Sequence, residues 1–470
     1  MAVLLKGSYT VKKKGNKKKY MQHWKLKNRA SWGKAWKLIP LVLFFPSILV
    51  AQQNERDSLI EQATLSNCVH YAIAHNPEIQ NSKIDEAITE TEIKSKLSEW
   101  YPQVNFNYNF QHNFQLPTSN FNGNIISIGS KNTSGLQFGA TQNIFTRDLL
   151  LASRSERDVR LQSKQNTTEQ NIDIAAMVSK AFYDVLLTKQ QINVTEQDIA
   201  RIDSSLKVAY YQYQGGIVDK TDYLRATISL NNARAQKKFY DESVKAKYSY
   251  LKQLMGYPTS QDFNLVYDTL QMGNEILLDT LQNINYSNRI EVQLLETQKR
   301  LQQYNLQYYK WSFLPELSAF GNYNLNFLNN QFGKLYNKSY PNSYAGLTLA
   351  IPIFQGGKRL QDIKQSELQV RQVDNSITNI RNTINTQYEQ ALAAYKSNLY
   401  NYNSLKENLS LANEVYGVIQ LQYRSGVKSY LEVINAETDL RTAQINYYNA
   451  LYQLLSSKVD VEQSLGTITY

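Results

Sequence analysis

Hydrophobic positions in this chain follow two periods, and the two alternate in blocks. From Arg147 to Gln212 there is no proline or glycine, and apolar residues return every seventh position. Val178, Val185, Ile192, Ile199 and Leu206 form one column; Ala181, Thr188, Thr195, Ile202 and Ala209 form a smaller one beside it. Paired seven-residue columns are the seam of a coiled coil, and the small residues let its helices approach closely. At 1.5 Å per residue this stretch predicts a helix of roughly 100 Å. A second run, about Arg359 to Tyr423, carries Tyr388, Tyr395, Tyr402, Leu409 and Tyr416 beside Ala391, Leu405, Ala412 and Ile419. Each long run meets a glycine and then a shorter helical pattern, about Lys220–Leu254 after Gly215-Gly216 and up to about Lys458 after Gly426.

The second period is two. In Gln103 to Phe114, Val104, Phe106, Tyr108 and Phe110 alternate with Gln103, Asn105, Asn107, Asn109 and Gln111. One aromatic face and one amide face predict a strand between two environments, the aromatic face meeting either a core or lipid. A polar segment over about 115–132 leads to a second strand near Ser134–Phe145. Further on, Leu317, Ala319, Tyr323, Leu325 and Phe327 share one face of a third strand. A fourth is expected over Tyr344–Phe354, with Leu347, Leu349, Ile351 and Ile353 alternating. Upstream, residues 65–75 read as a short helix, and Asn76-Pro77-Glu78 restarts one that runs to about Ser98: N-cap, proline at the first helical position, acidic residue at the positive helix end. Trp100-Tyr101-Pro102 stops it. A helix over about 288–310 ends likewise at Leu314-Pro315.

These blocks predict an internal tandem repeat. Sliding the chain by 210 residues lays Tyr213 on Tyr423, Gly216 on Gly426, Ile217 on Val427, Asp222 on Glu432, Leu224 on Ile434 and Ala226 on Ala436. Pro102 and Pro315, and Phe145 and Phe354, keep nearly the same offset. Repeat 1 spans about 65–262 and repeat 2 about 285–470, with β-hairpins near 103–145 and 316–354 and turned tips near 213–222 and 423–432. The expected fold class is mainly α with a membrane β-barrel: long coiled-coil hairpins plus four strands per chain.

Charge removes one function class. The 470 residues carry a net charge of +11, but residues 1–51 hold 12 of the 51 Lys and Arg and no acid, leaving 39 basic against 40 acidic beyond them. The basic balance belongs to a leader, so no nucleic-acid partner is expected. Its apolar run, Leu38–Ala51, is short for a membrane span and precedes Gln52, which predicts a signal peptide over 1–51, or else a retained anchor, with translation starting at Met1 or Met21. Cys68, the single cysteine, is expected as a small buried helix residue. Three histidines follow the leader, HExxH and GxSxG motifs are missing, and Gly356-Gly357-Lys358 lacks the rest of a phosphate loop. No enzyme activity, cofactor or metal site is expected.

Four strands are too few to close a barrel, and open edges cannot cross lipid, so other copies of the chain must complete the sheet and leave a lumen. Here the chain resembles the TolC family of outer-membrane efflux channels. The resemblance rests on Asn76-Pro77, Tyr101-Pro102, Leu314-Pro315, Ile353-Phe354-Gln355-Gly356-Gly357 and both Tyr-x-x-Gly tips, in this order and in duplicate. It implies a homotrimer with a 12-stranded barrel in the outer membrane of a Gram-negative bacterium and an α-helical tunnel in the periplasm. It implies partners too: a periplasmic adaptor, an inner-membrane pump of the RND or ABC type, and outer-membrane lipid against Val104, Phe106, Tyr108, Phe110, Leu347, Leu349 and Ile351. Carried over by position, the gate falls on Asp222, Tyr423, Lys428, Glu432 and Asn435, with Lys428 expected to pair with Asp222. Asn435 stands where the family places a second acidic residue, which weakens any acidic ring. The adaptor-contacting tips fall on Gly216, Ile217, Val218, Gly426 and Val427. The implied function is the exit channel of a tripartite efflux system. A protein-secretion duct shares this architecture, and a non-conducting coiled-coil scaffold or adhesin is the competing class.

Overall fold

The computed structural model of the chain describes residues 60, 62–266 and 276–470. The expected signal peptide, 1–51, lies outside the described residues. Helix α1 (Leu65–His75) starts on Thr64, whose hydroxyl accepts from the Asn67 amide, and buries Cys68, where burial pushes the thiol up to about 12. Asn76 then does two jobs. Its Oδ1 accepts from the Glu78 and Ile79 amides at 2.8 and 3.2 Å, opening α2 (Pro77–Ser98), and its Nδ2 donates to Leu254 O at 2.7 Å. One buried side chain thus satisfies orphan groups at the start of one helix and the end of another.

The helix that ends there is α4 (Lys220–Met255), the return arm of α3 (Arg147–Gln214), and Gly256 closes it with φ +66°. The second half is built alike. Helix α5 (Ile290–Lys310) begins at Arg289, whose guanidinium donates to Gln463 O at 2.7 Å and pairs with Glu291. Gln463 lies in the last turn of α7 (Tyr430–Leu465), the return arm of α6 (Lys358–Arg424), and Gly466 closes α7 with φ +70°. Among the described residues no helix is long and apolar enough to cross a membrane.

The two heptad columns differ in cover. Ala181, Thr188, Thr195, Ile202 and Ala209 are buried throughout, whereas the first column is buried at Val178 and Val185 and only half-covered at Ile192, Ile199 and Leu206. The alanines and threonines of the buried column let the helix backbones come close. On α6 the buried column is Tyr388, Tyr395 and Tyr402. Leucine at those positions would leave polar groups of the neighbouring connection unmet: Tyr388 and Tyr395 donate to Gln282 O and Ile276 O at 2.8 and 2.7 Å, pinning that connection to the helix.

Between the helices runs one antiparallel sheet in the order β2 (Gln103–His112), β5 (Asn132–Phe145), β7 (Glu316–Asn329), β8 (Ser339–Ala350). Its register carries the alternation across all four strands. Phe106 lies opposite Phe138, then Tyr323, then Ser343; one residue along, Asn107 lies opposite Gln137, then Asn324, then Asn342. The first row belongs to an apolar face and the second to an amide face. Val104, Phe106, Tyr108, Phe110, Leu347 and Leu349 are all exposed on the former. Among the described residues, strands β2 and β8 each have one neighbour and one open edge.

Three local differences from expectation have physical causes. The fourth strand starts earlier than Tyr344 and ends at Ala350, leaving Ile351 one residue beyond it. Pro341 discourages a strand in sequence, but the outermost strand of a sheet tolerates proline, since only one side of it is paired within the chain; Pro352 then stops the pairing. The 115–132 segment contains a small hairpin, β3 (Thr118–Phe121) and β4 (Asn124–Ser127), turning on Asn122 and Gly123 with φ +51° and +85°, as a type I′ turn requires. A two-residue parallel bridge joins β1 (Gln62–Ala63) to β6 (Asn264–Leu265).

The two closing glycines predict a graded effect. A Cβ on Gly256 would stand 2.4 Å from His75 O, and on Gly466 3.0 Å from Asn288 O. Both substitutions also strain a left-handed backbone, by about 1–3 kcal/mol. Gly256→Ala should therefore lower the melting temperature by several degrees, and by more than Gly466→Ala. Circular dichroism melts in detergent check the order; equal melting of Gly256→Ala and parent would defeat it.

Candidate functional site at the hairpin tips

The repeated Tyr-x-x-Gly motif is a helix-ending device. At the end of α3, Gly216 takes φ +69°; its N–H donates to Tyr213 O at 3.0 Å and the Ile217 N–H donates to Gln212 O at 2.9 Å. At the end of α6, Gly426 takes φ +74°, with Gly426 N–H to Tyr423 O and Val427 N–H to Gln422 O, both 2.9 Å. Both are Schellman closures, in which only glycine adopts the left-handed turn without strain. The residue after the glycine is usually apolar and packs back on the helix. Here Ile217 and Val427 stay 75% and 71% exposed, while Val218 is half-buried.

The side chains then break the symmetry. Tyr213 stacks on Tyr223 within its own hairpin, whereas Tyr423 reaches across to the first hairpin and donates to Gln212 Oε1 at 3.0 Å. Burial, and then the Asp222 carboxylate, push the Tyr423 hydroxyl above its ordinary value, which keeps it a donor. Lys428 takes a different partner from the expected Asp222: its Nζ meets Glu432 Oε1 at 2.6 Å within the same tip. Glu432 Oε2 also accepts from the Ser429 amide and hydroxyl at 3.0 and 3.3 Å, forming a capping box at the start of α7. The Lys428 ammonium, then the Ser429 amide, hold the Glu432 carboxyl below its usual range. Asp222, Tyr423 and Gln212 thus form one group, Lys428 and Glu432 another, and Asn435 is exposed apart from both.

One set of residues was invisible to a search for apolar columns. Gln191, Asp198, Ser205 and Gln212 form a third, polar heptad column on α3, and every member bonds the second hairpin. Gln191 Nε2 donates to Asn449 Oδ1 at 3.1 Å; Arg441 Nη1 donates to Asp198 Oδ2 at 3.0 Å; Ser205 Oγ donates to Glu437 Oε1 at 3.4 Å; Tyr423 closes on Gln212. Asp198 and Glu437 are buried, and Arg201 supplies a second partner to Asp198 at 3.2 Å. Burial, and then the Asp198 charge, raise the Glu437 carboxyl above its ordinary value. The signal was in the sequence as a seven-residue spacing of polar residues, beside the apolar columns and in phase with them. Among the described residues no cluster of His, Cys, Asp or Glu could hold a metal ion.

Comparison with known proteins fits this arrangement. The profile of the family described as outer membrane efflux protein matches residues 68–257 and 285–467. The chain belongs to that family. Its relatives include the outer membrane protein TolC of Vibrio cholerae serotype O1, 21% identical over 90% of this chain and 95% of the relative, and TolC of Escherichia coli K12, 22% identical over 87% and 84%. Among solved structures, CusC superimposes with a TM-score of 0.69 at 15% identity, covering 85% of this chain and 91% of that one. VceC of Vibrio cholerae superimposes with a TM-score of 0.67 at 11% identity, covering 86% and 96%. The protein is an outer-membrane protein of a Gram-negative bacterium, in a family of efflux channels rather than enzymes.

The buried cluster yields two expectations. Arg441→Ala leaves Asp198 with Arg201 alone; since Arg441 is partly exposed, a loss of about 2 kcal/mol is expected, below the full effect of breaking a buried pair. Chemical unfolding of parent and variant measures it. Glu437 has a raised folded pKa, so its ionised form disfavours folding, an effect that sets in as pH rises above the unfolded value of about 4.5. Glu437→Gln should therefore be at least as stable as parent at pH 8, and its relative advantage should vanish as pH falls towards 4. A Gln variant that loses more at pH 8 than at pH 4 would reverse that sign.

Proposed function

We propose that the protein is the exit channel of an envelope-spanning export system, built from three copies. The observation that carries this is the sheet: four antiparallel strands with an aromatic face, an amide face and two open edges, continuous with helices of roughly 100 Å. Neither edge tolerates hydrocarbon unless paired. Pairing β8 of one copy with β2 of the next gives a 12-stranded barrel, aromatic outside and amide inside, with the hairpins continuing it as a tunnel into the periplasm. The two matches of one family profile support descent of the halves from a duplicated unit.

In this reading the tips form the inner entrance. Exposed Ile217 and Val427, with Val218 and the turns at Gly216 and Gly426, offer a periplasmic adaptor two apolar points on rigid closures. Asp222, Tyr423, Lys428 and Glu432 hold the entrance narrow, and Asn435 adds no charge. An inner-membrane pump of the RND or ABC type supplies the energy. The relatives support both export routes: one is a probable efflux pump outer membrane protein, TtgC of Pseudomonas putida, and another is the alkaline protease secretion protein AprF of Pseudomonas aeruginosa.

Purified protein in planar bilayers should give small conductance steps. Asp222→Ala, beside Tyr423, and Lys428→Ala, which frees Glu432, should each raise them. Unchanged small steps in both variants would remove the gate assignment, while a complete lack of steps would remove the channel and favour a coiled-coil scaffold.

A further inference from the structure

The sheet is unusual in its charges. Residues 103–146 and 317–357 contain no Asp or Glu, and their only charged side chains are Lys131, Lys334 and Lys338. All three lie at one end. Lys131 precedes β5, and Lys334 and Lys338 lie between β7 and β8, so they occupy the end away from the helices, which join at the start of β2, the end of β5, the start of β7 and past the end of β8. At the helix end the charges are compensated, Arg147 lying 3.6 Å from Glu316.

The register places two of these lysines with the amide face. Tyr340 lies opposite Asn326, itself opposite Gly135 and Asn109, and Lys338 Nζ stands 5.2 Å from the centre of the Tyr340 ring. Lys131 adjoins Asn132, which lies opposite His112 in the aromatic row, so strand alternation assigns Lys131 to the amide side. Its backbone is fixed: the Lys131 N–H donates to Asn330 Oδ1 at 3.0 Å and Asn113 N–H donates to Lys131 O at 2.7 Å. Lys131, Lys334 and Lys338 are all exposed. Below them the face offers amides: Asn107, Gln137, Asn324 and Asn342 in one row, with Asn324 Nδ2 donating to Asn342 Oδ1 at 2.8 Å.

We infer that the outer mouth of this channel is an anion-attracting exit, and that the exported solutes are anionic or neutral rather than cationic. The inference rests on the channel reading, which puts the amide face inside. Three copies gather six of these ammonium groups, from Lys131 and Lys338, on the lumen side of one opening with no carboxylate among them. Clefts lined by one sign of charge concentrate the opposite ion. At the other end of the path Lys428 and Glu432 neutralise each other, so among the gate residues Asp222 alone adds an acid, one per copy against the two lysines per copy at the outer mouth. Neutral amide rows between the ends can donate N–H groups to carboxylates or phosphates in transit and hold no fixed charge to trap them.

Reversal potentials in planar bilayers under a potassium chloride gradient test this. At about 0.1 M salt the parent should pass chloride over potassium by about threefold, with the ratio falling towards 1 at about 1 M, where the Debye length is about 3 Å. Lys131→Gln with Lys338→Gln should lower the ratio at least twofold, and Lys338→Glu should bring it below 1. A parent that prefers potassium, or a double variant with the parent's ratio, overturns the inference while leaving the channel reading intact. A lack of any conductance overturns both.

Discussion

The arrangement depends on one polar column. Apolar heptads repeat every seven residues, so sliding one hairpin past the other by a heptad would bury almost the same surface. Gln191, Asp198, Ser205 and Gln212 remove that freedom, because each has a specific partner on the second hairpin. A slip would leave Asp198 buried without Arg441, and an uncompensated buried charge costs several kcal/mol. The column also ends at the tips, so the interaction that sets register also brings Tyr423 to Gln212. At the opposite ends Asn76 and Arg289 do the corresponding work, tying the last turn of each return arm to the start of its own half.

Much of this was legible from side-chain spacing. The helix limits around Asn76, Thr146, Gly256 and both tips follow from capping chemistry that is local in sequence. The sheet faces follow from a two-residue period, and Asn122-Gly123 signals the β3–β4 hairpin inside a segment whose composition is that of a polar loop. What sequence did not expose depends on partners far along the chain. Lys428 lies four residues before Glu432 on the same tip, and this nearby pairing prevails over the longer reach to Asp222. Pro341 reads as a strand breaker until the edge position of β8 is known. The tyrosines of α6 read as core, but their hydroxyls fix a connection more than 100 residues upstream.

Similar tip geometry and unequal tip chemistry are separable here. The Schellman closures use backbone atoms and a glycine, so both tips have nearly the same shape. The main differences between them lie in side chains: a tyrosine that stacks at home in one and crosses over in the other, an aspartate cap in one and a serine–glutamate box in the other. A scaffold whose geometry is set by the backbone leaves its surface residues free to differ, as they do between these two tips.

The open edges of the sheet bear on how such a protein is made. Strand β2 presents ten residues along an edge with no partner among the described residues, and β8 presents twelve. In water these groups are hydrated, but in hydrocarbon each unpaired one costs several kcal/mol. A lone chain therefore gains nothing by entering the bilayer. The helical hairpins carry no such penalty. If three copies close the barrel as proposed, biogenesis is thereby ordered: the hairpins act as the jig that brings three partial sheets together, and membrane entry belongs to the assembled ring.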